Sequence, residues 1–121
     1  MLFNRAKENY SGNNISEAIA LLDQYIINYP RGMEIIDVYF QLGEIHYVTG
    51  AFSRAVANFN HVVRARDQKV PEAMYFMAQS YEALSDYSNT IRLYEQLVRE
   101  HPTHPLSRAA QDHLKIIREG F

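Results

Sequence analysis

Three stretches of this chain align on one another without gaps: SEAIALLDQYIINYP (16–30), SRAVANFNHVVRARD (53–67) and SNTIRLYEQLVREHP (88–102). Ala18, Ala55 and Thr90 correspond, as do Leu22, Phe59 and Tyr94, and after them Tyr25, Val62 and Leu97. The separations are 37 and then 35 residues. Such a period constrains the fold more than any local propensity, because a recurring unit buries its oily flank on the next copy of itself. Within each stretch a small residue is followed by an apolar one four later and another three after that, which is one face of a helix. Tyr29-Pro30 and His101-Pro102 close the first and third stretches, since proline disfavours helical backbone in the residue before it. Asp67 closes the second.

Each stretch is preceded by another of helical pattern. Residues 34–50 place Ile35, Tyr39, Leu42, Ile45/His46 and Thr49 on one stripe. Residues 71–84 place Met74, Met77, Ala78 and Tyr81 on another, with Pro71 at a helix start, where its missing N–H costs nothing. Residues 2–10 offer Phe3, Ala6 and Tyr10. The turns between partners read SGNN, VTGAF and LSDY; Asn14 and Asp86 are N-cap candidates. Gly43, in mid-helix, is expected at a crossing point where two helices approach closely. Ala78 takes that place in the third unit and Ala6 or Lys7 in the first, with Ala55 and Thr90 as the reciprocal small positions. Gly50 is expected in the turn, with Ser85 as its counterpart. A seventh helix over 105–119 has Leu106, Ala110, Leu114 and Ile117 on one side and polar residues on the other, with Gly120 as its stop. A helix with a single oily face at the end of an array reads as a cap.

The expected fold is therefore all-α: a right-handed α-solenoid of three helix pairs plus a C-terminal capping helix. It forms one domain over 1–121, with repeats at about 2–32, 33–69 and 70–103 and the cap at about 105–119. No strand alternation or hairpin signal is present. At 121 residues, 47% of them hydrophobic, the chain can bury a core without staples. A net charge of −2 gives no field to attract nucleic acid or anionic membrane, and the absence of cysteine excludes disulfides and thiol catalysis.

Tyr39-x2-Leu42-Gly43-x2-His46 followed by Gly50-x-Phe52-x2-Ala55-x3-Phe59 resembles a tetratricopeptide repeat. Met77-Ala78-x2-Tyr81, Tyr87-x2-Thr90-x3-Tyr94 and Pro102 are similar, while the first unit matches in its second helix and Pro30. His46 stands where the pattern usually has tyrosine, and Asp67 where it has proline. The resemblance covers essentially the whole chain and implies protein–protein interaction. The closing Tyr-Pro and His-Pro pairs, the intervals above 34 and the terminal RAAQDHL helix are similar to a bacterial envelope subgroup. It includes the Tol–Pal coordinator protein and the lipoprotein of the outer-membrane β-barrel assembly machinery. That narrower resemblance implies a periplasmic or envelope-associated piece of a longer protein; otherwise a cytoplasmic location is expected. The abrupt helical start also suggests an excised piece, with Met1 an addition.

In a stack of such pairs the first helices line the concave side. Residues 34–49 carry Glu34, Asp37 and Glu44 without a base, and 71–84 carry Glu72 and Glu82 without a base. Residues 52–66 carry Arg54, Arg64 and Arg66 without an acid, so the concave side is expected to be acidic and the convex side basic. Such a groove selects basic or hydrogen-bonding peptides; the same charges also fit neighbouring helices that pair with one another, or that face water. A second stripe, Ile36, Phe40 and Tyr47, interrupted by Glu44, has Tyr75, Gln79 and Glu82 as its counterparts. It fits either a partner segment or contact between adjacent units. The expected contact residues are Phe40, Glu44, Tyr47, Tyr75, Gln79 and Glu82, for a protein or peptide partner of basic character. The alternative is a self-associating scaffold or spacer using Leu2 and Phe3.

Chemistry is otherwise sparse. His101 and His104 flank Pro102 in a loop, and neither they nor Asp112 and His113 repeat a ligand spacing, so no metal is expected. His46 reads as a half-buried core residue. No Gly-rich phosphate loop, HExxH or nucleophile elbow occurs, so neither catalysis nor a cofactor is expected. The basic helix lacks interleaved aromatics for nucleic acid. No apolar run approaches the roughly 18 residues of a membrane span. Asn9 and Asn14 begin sequons that need a secretory eukaryotic context.

Overall fold

A computed structural model of the protein describes residues 2–120. Met1 and Phe121, the two ends of the expected 1–121 domain, lie outside the described residues, and with them the expectation about Met1. Seven helices follow one another: α1 (Leu2–Ser11), α2 (Ile15–Asn28), α3 (Ile35–Val48), α4 (Phe52–Ala65), α5 (Val70–Ala83), α6 (Tyr87–Glu100) and α7 (Pro105–Gly120). No strand occurs among the described residues. The helices pair as α1–α2, α3–α4 and α5–α6, each pair docks on the next, and α7 covers the last, making a helical-repeat solenoid.

The turn inside each pair is the same turn three times. Asn13, Gly50 and Ser85 all have left-handed backbone, with φ of 65°, 84° and 61°. The amides of Asn14, Ala51 and Asp86 reach back five residues to the carbonyls of Asn9, His46 and Tyr81, at 2.6, 2.8 and 2.8 Å. This closure satisfies the carbonyls that a helix end leaves open. Ser85 thus does stand in Gly50's place.

The capping expectations divide. The Asp86 carboxylate accepts from the Asn89 amide at 3.3 Å, capping α6. Asn14 makes no such bond; its side-chain amide donates to Asn9 Oδ1 at 3.0 Å. Tyr29 and His101 do end α2 and α6, each amide bonding the carbonyl four residues back at 2.7 and 2.8 Å. Gly120 is the last residue of α7 rather than the stop beyond it.

Gly43 is a contact feature, but of a different kind from the one expected. A Cβ there would lie 2.6 Å from the Phe59 ring, so the glycine admits an aromatic ring of α4, not a bare backbone. In the third unit the helices meet at Thr90, whose hydroxyl donates to the Ala78 carbonyl at 3.1 Å. Ala6, fully buried, holds that position in α1 and Lys7 is exposed. In α7 the position 37 residues beyond Ala78 is Lys115, which is exposed. That helix has no following partner among the described residues and presents a charge there.

α3 and α5 are buried on more sides than one stripe allows. Val38, Leu42 and Ile45 turn toward the preceding pair and join Phe3, Ala6, Leu21, Leu22 and Tyr25 in one core. Phe59, Met74, Met77, Leu93, Tyr94 and Leu97 belong to a second, larger core, which α7 closes with Ala110, Leu114 and Ile117. Along the inner layer α3 lies beside α5 and α5 beside α7, whereas α2, α4 and α6 have no comparable contact with one another.

Candidate functional site

The expected contact residues all fall on the inner layer, and all six are half-buried. Phe40, Glu44 and Tyr47 come from α3; Tyr75, Gln79 and Glu82 occupy the equivalent places 35 residues later on α5. Two of them, Tyr47 and Gln79, join the two helices. The Tyr47 hydroxyl donates to Gln79 Oε1 at 2.9 Å, and its ring lies 5.7 Å from that of Phe76. Phe40 meets the Phe59 ring edge-on at 5.7 Å. Tyr75 reaches α7, its hydroxyl 3.1 Å from His113 Nε2, and its ring lies 5.7 Å from that of Tyr94. Each of these aromatic side chains therefore has one flank against an adjacent element and another toward solvent.

The expected division of charge is incomplete on this side, because bases enter it from elements outside α3 and α5. Lys69, in the loop before α5, lies 3.7 Å from Asp37 and stands over the Phe40 ring at 5.3 Å. Lys7 of α1 stands over the Phe3 ring at 5.0 Å. Glu72 meets His104 Nε2 at 3.2 Å. The Leu106 amide donates to Nδ1 of the same ring, so Nε2 carries the proton and donates to the carboxylate. Glu44 and Glu82 have no ion-pair partner within 4.0 Å among the described residues. Burial holds the Glu44 carboxyl above its usual range, against the pull of the Lys69 ammonium. Burial likewise pushes up the Tyr75 hydroxyl, with the neighbouring Tyr47 and Glu82 adding to the effect. Tyr94 is pushed up further, by burial first and then by Tyr75 and Glu82.

Residues of this surface that the sequence reading missed share the repeat spacing. Phe3, Lys7 and Tyr10 lie 37 residues before Phe40, Glu44 and Tyr47. Asp112, Ile116 and Glu119 lie 37 beyond Tyr75, Gln79 and Glu82. The period was the available signal. The histidines are dispersed: His46 is buried in α3, His104 bonds Glu72, and His113 stacks on Tyr94 at 5.5 Å. No group of three or more metal-ligating side chains forms among the described residues. No described helix is long and apolar enough to cross a membrane.

Paired helices, a repeated left-handed turn and a shared inner layer define the class of a helical-repeat domain. Residues 72–104, which span most of α5, α6 and the link to α7, match the family model of the tetratricopeptide repeat. No curated protein matches the chain. Among solved structures it is similar to the N-terminal domain of stress-induced protein-1 (STI-1) from C. elegans, with a TM-score of 0.77 and 16% identity over 92% of this chain and 90% of that one. At that identity the likeness shows the fold alone, an all-helical repeat domain, and the family match covers residues 72–104. Neither likeness reaches the envelope subgroup.

Proposed function

We propose that the chain is a protein–protein interaction module that holds a basic partner segment along its inner layer. Phe40, Glu44, Tyr47, Tyr75, Gln79 and Glu82 form the contact strip. The observation that carries this reading is the state of the two glutamates. Glu44 and Glu82 sit half-buried among aromatic rings with no ion-pair partner among the described residues. A carboxylate in that setting gains most from an incoming cation, because part of its hydration is already lost. The rings supply area, and the side chains that lock α3 to α5 hold the strip in shape before binding.

Fluorescence anisotropy tests the proposal with a lysine-rich octapeptide and a glutamate-rich one. The basic peptide is expected to bind and the acidic one not. Glu44→Lys with Glu82→Lys is expected to weaken binding by about tenfold or more while leaving the urea midpoint near the parent's. Equal binding of both peptides, or binding unchanged by the double reversal, overturns it. The self-associating alternative draws less support, because Phe3 is only 8% exposed, too little to carry a dimer contact, and the exposed Arg5 and Glu8 put charge beside it.

A further inference from the structure

The three junctions along the inner layer are not alike. Between α3 and α5 the Phe76 ring fills the seam, 5.7 Å from Tyr47 and 6.0 Å from Phe59. Between α5 and α7 the equivalent residue, 37 positions on, is His113, which bonds Tyr75 and stacks on Tyr94. Between α1 and α3 the equivalent residue, 35 positions before Phe76, is Gln41. No ring closes this seam, and a cleft of about 280 Å³ remains, lined by Phe3, Lys7, Phe40, Gln41, Glu44 and Lys69 together with Asp37. Gln41 is one of the lining residues, and its side-chain oxygen is buried without a hydrogen-bond partner.

Resting on the reading of the inner layer as a partner surface, we infer that this cleft is a pocket for an arginine side chain of the bound segment. The walls match that group. Gln41 and Glu44, three residues apart on one face of α3, both bear acceptor oxygens, and a guanidinium presents several donors in a flat fork. Phe3 and Phe40 offer ring faces, and each already carries a cation, Lys7 at 5.0 Å and Lys69 at 5.3 Å. The ring faces thus hold positive charge as built, and both lysines are on flexible stems that can swing to water. A purely apolar side chain would leave the Gln41 oxygen as it stands, without a partner, and so gains nothing from it. A lysine ammonium would serve one acceptor well but lacks the planar face that lies against a ring. Lys7 and Lys69 give an anion the one competing claim on the cleft.

The test titrates N-acetyl-arginine-amide into the intact chain and follows backbone and side-chain amide shifts by NMR. The lysine and citrulline analogues and inorganic phosphate are titrated in parallel. Shifts are expected to centre on Phe40, Gln41 and Glu44, with the lysine and citrulline compounds weaker by about fivefold or more. Gln41→Phe supplies to this seam the ring that Phe76 supplies to the next; it is expected to keep or raise the melting temperature and to abolish the arginine shifts. Glu44→Gln, which cannot disturb the fold by size, is expected to weaken arginine by a similar factor. Arginine shifts that survive both substitutions, or phosphate binding tighter than arginine, overturn the pocket. If the arginine compound fails while the lysine-rich octapeptide still binds the parent and loses affinity on Glu82→Lys, the pocket alone falls. If neither binds, the proposed function falls with it.

Discussion

At the scale of single residues, position 43 shows how a repeat tolerates a poor helix former. Glycine there costs about 1 kcal/mol of helix propensity relative to alanine. Phe59, fully buried, occupies the space a side chain would take. Gly43→Ala recovers the propensity but drives a methyl into a ring that cannot retreat, at about 1–3 kcal/mol. A net loss is expected, read as a lower urea midpoint with unchanged slope. The buried His46 and the half-buried Glu44 give stability opposite slopes with pH. Burial, then Arg54, holds His46 below its ordinary 6.5, with Asp23 opposing. The unfolded chain therefore takes up that proton first, and stability is full above pH 6.5 and falls as acid is added below it. Glu44 is raised above its ordinary 4.5, so its contribution is full below pH 4.5 and is lost as pH rises past that value. Thermal melts of His46→Gln and Glu44→Gln against pH are expected to flatten the two slopes separately.

Among the elements, the helix N-termini separate a cap from a look-alike. Asp86 accepts from the Asn89 amide, while Asn14 spends its side chain on Asn9. Asp86→Ala is expected to cost about 1 kcal/mol and Asn14→Ala a few tenths, measured by chemical denaturation. The seven helices, the three turns and the cap were legible in the sequence because each is a local pattern repeated at a fixed interval. What was not legible lies on α3 and α5. Val38, Ala73 and Ser80 are buried, yet they fall off the stripe that pairs each helix with its partner. These helices are apolar on several sides, because they meet the preceding pair as well as their own partner, and overlapping faces blur a 3.6-residue period. The same blurring left Phe40 and Tyr47 open to two uses, partner contact and contact between units. Tyr47 bonds Gln79 across the seam between units, while Phe40 meets Phe59 within its own pair. Lys7 and Lys69 escaped notice as members of the acidic side because charge was counted one helix at a time.

For the molecule as a whole, the division into two cores sets the order in which it opens. The first pair shares its core with one side of α3 only, and α2 meets α3 over a smaller contact than α4 makes with α5. The open seam between α1 and α3 adds nothing comparable to the Tyr47–Gln79 and Tyr75–His113 ties further along. Native-state hydrogen exchange is expected to show α1 and α2 opening as a unit below the global free energy, with protection about tenfold or more lower than in α5 and α6. Uniform protection across all seven helices would contradict that division.

Lys115 sets a rule for extending the array. At the places equivalent to Gly43 and Ala78 it projects a long ammonium stem from α7. A copy of α4 grafted behind α7 would bring its phenylalanine against that stem rather than into a notch. Engineering a fourth hairpin onto this scaffold therefore begins with trimming residue 115 to alanine or glycine, before any new helix is drawn.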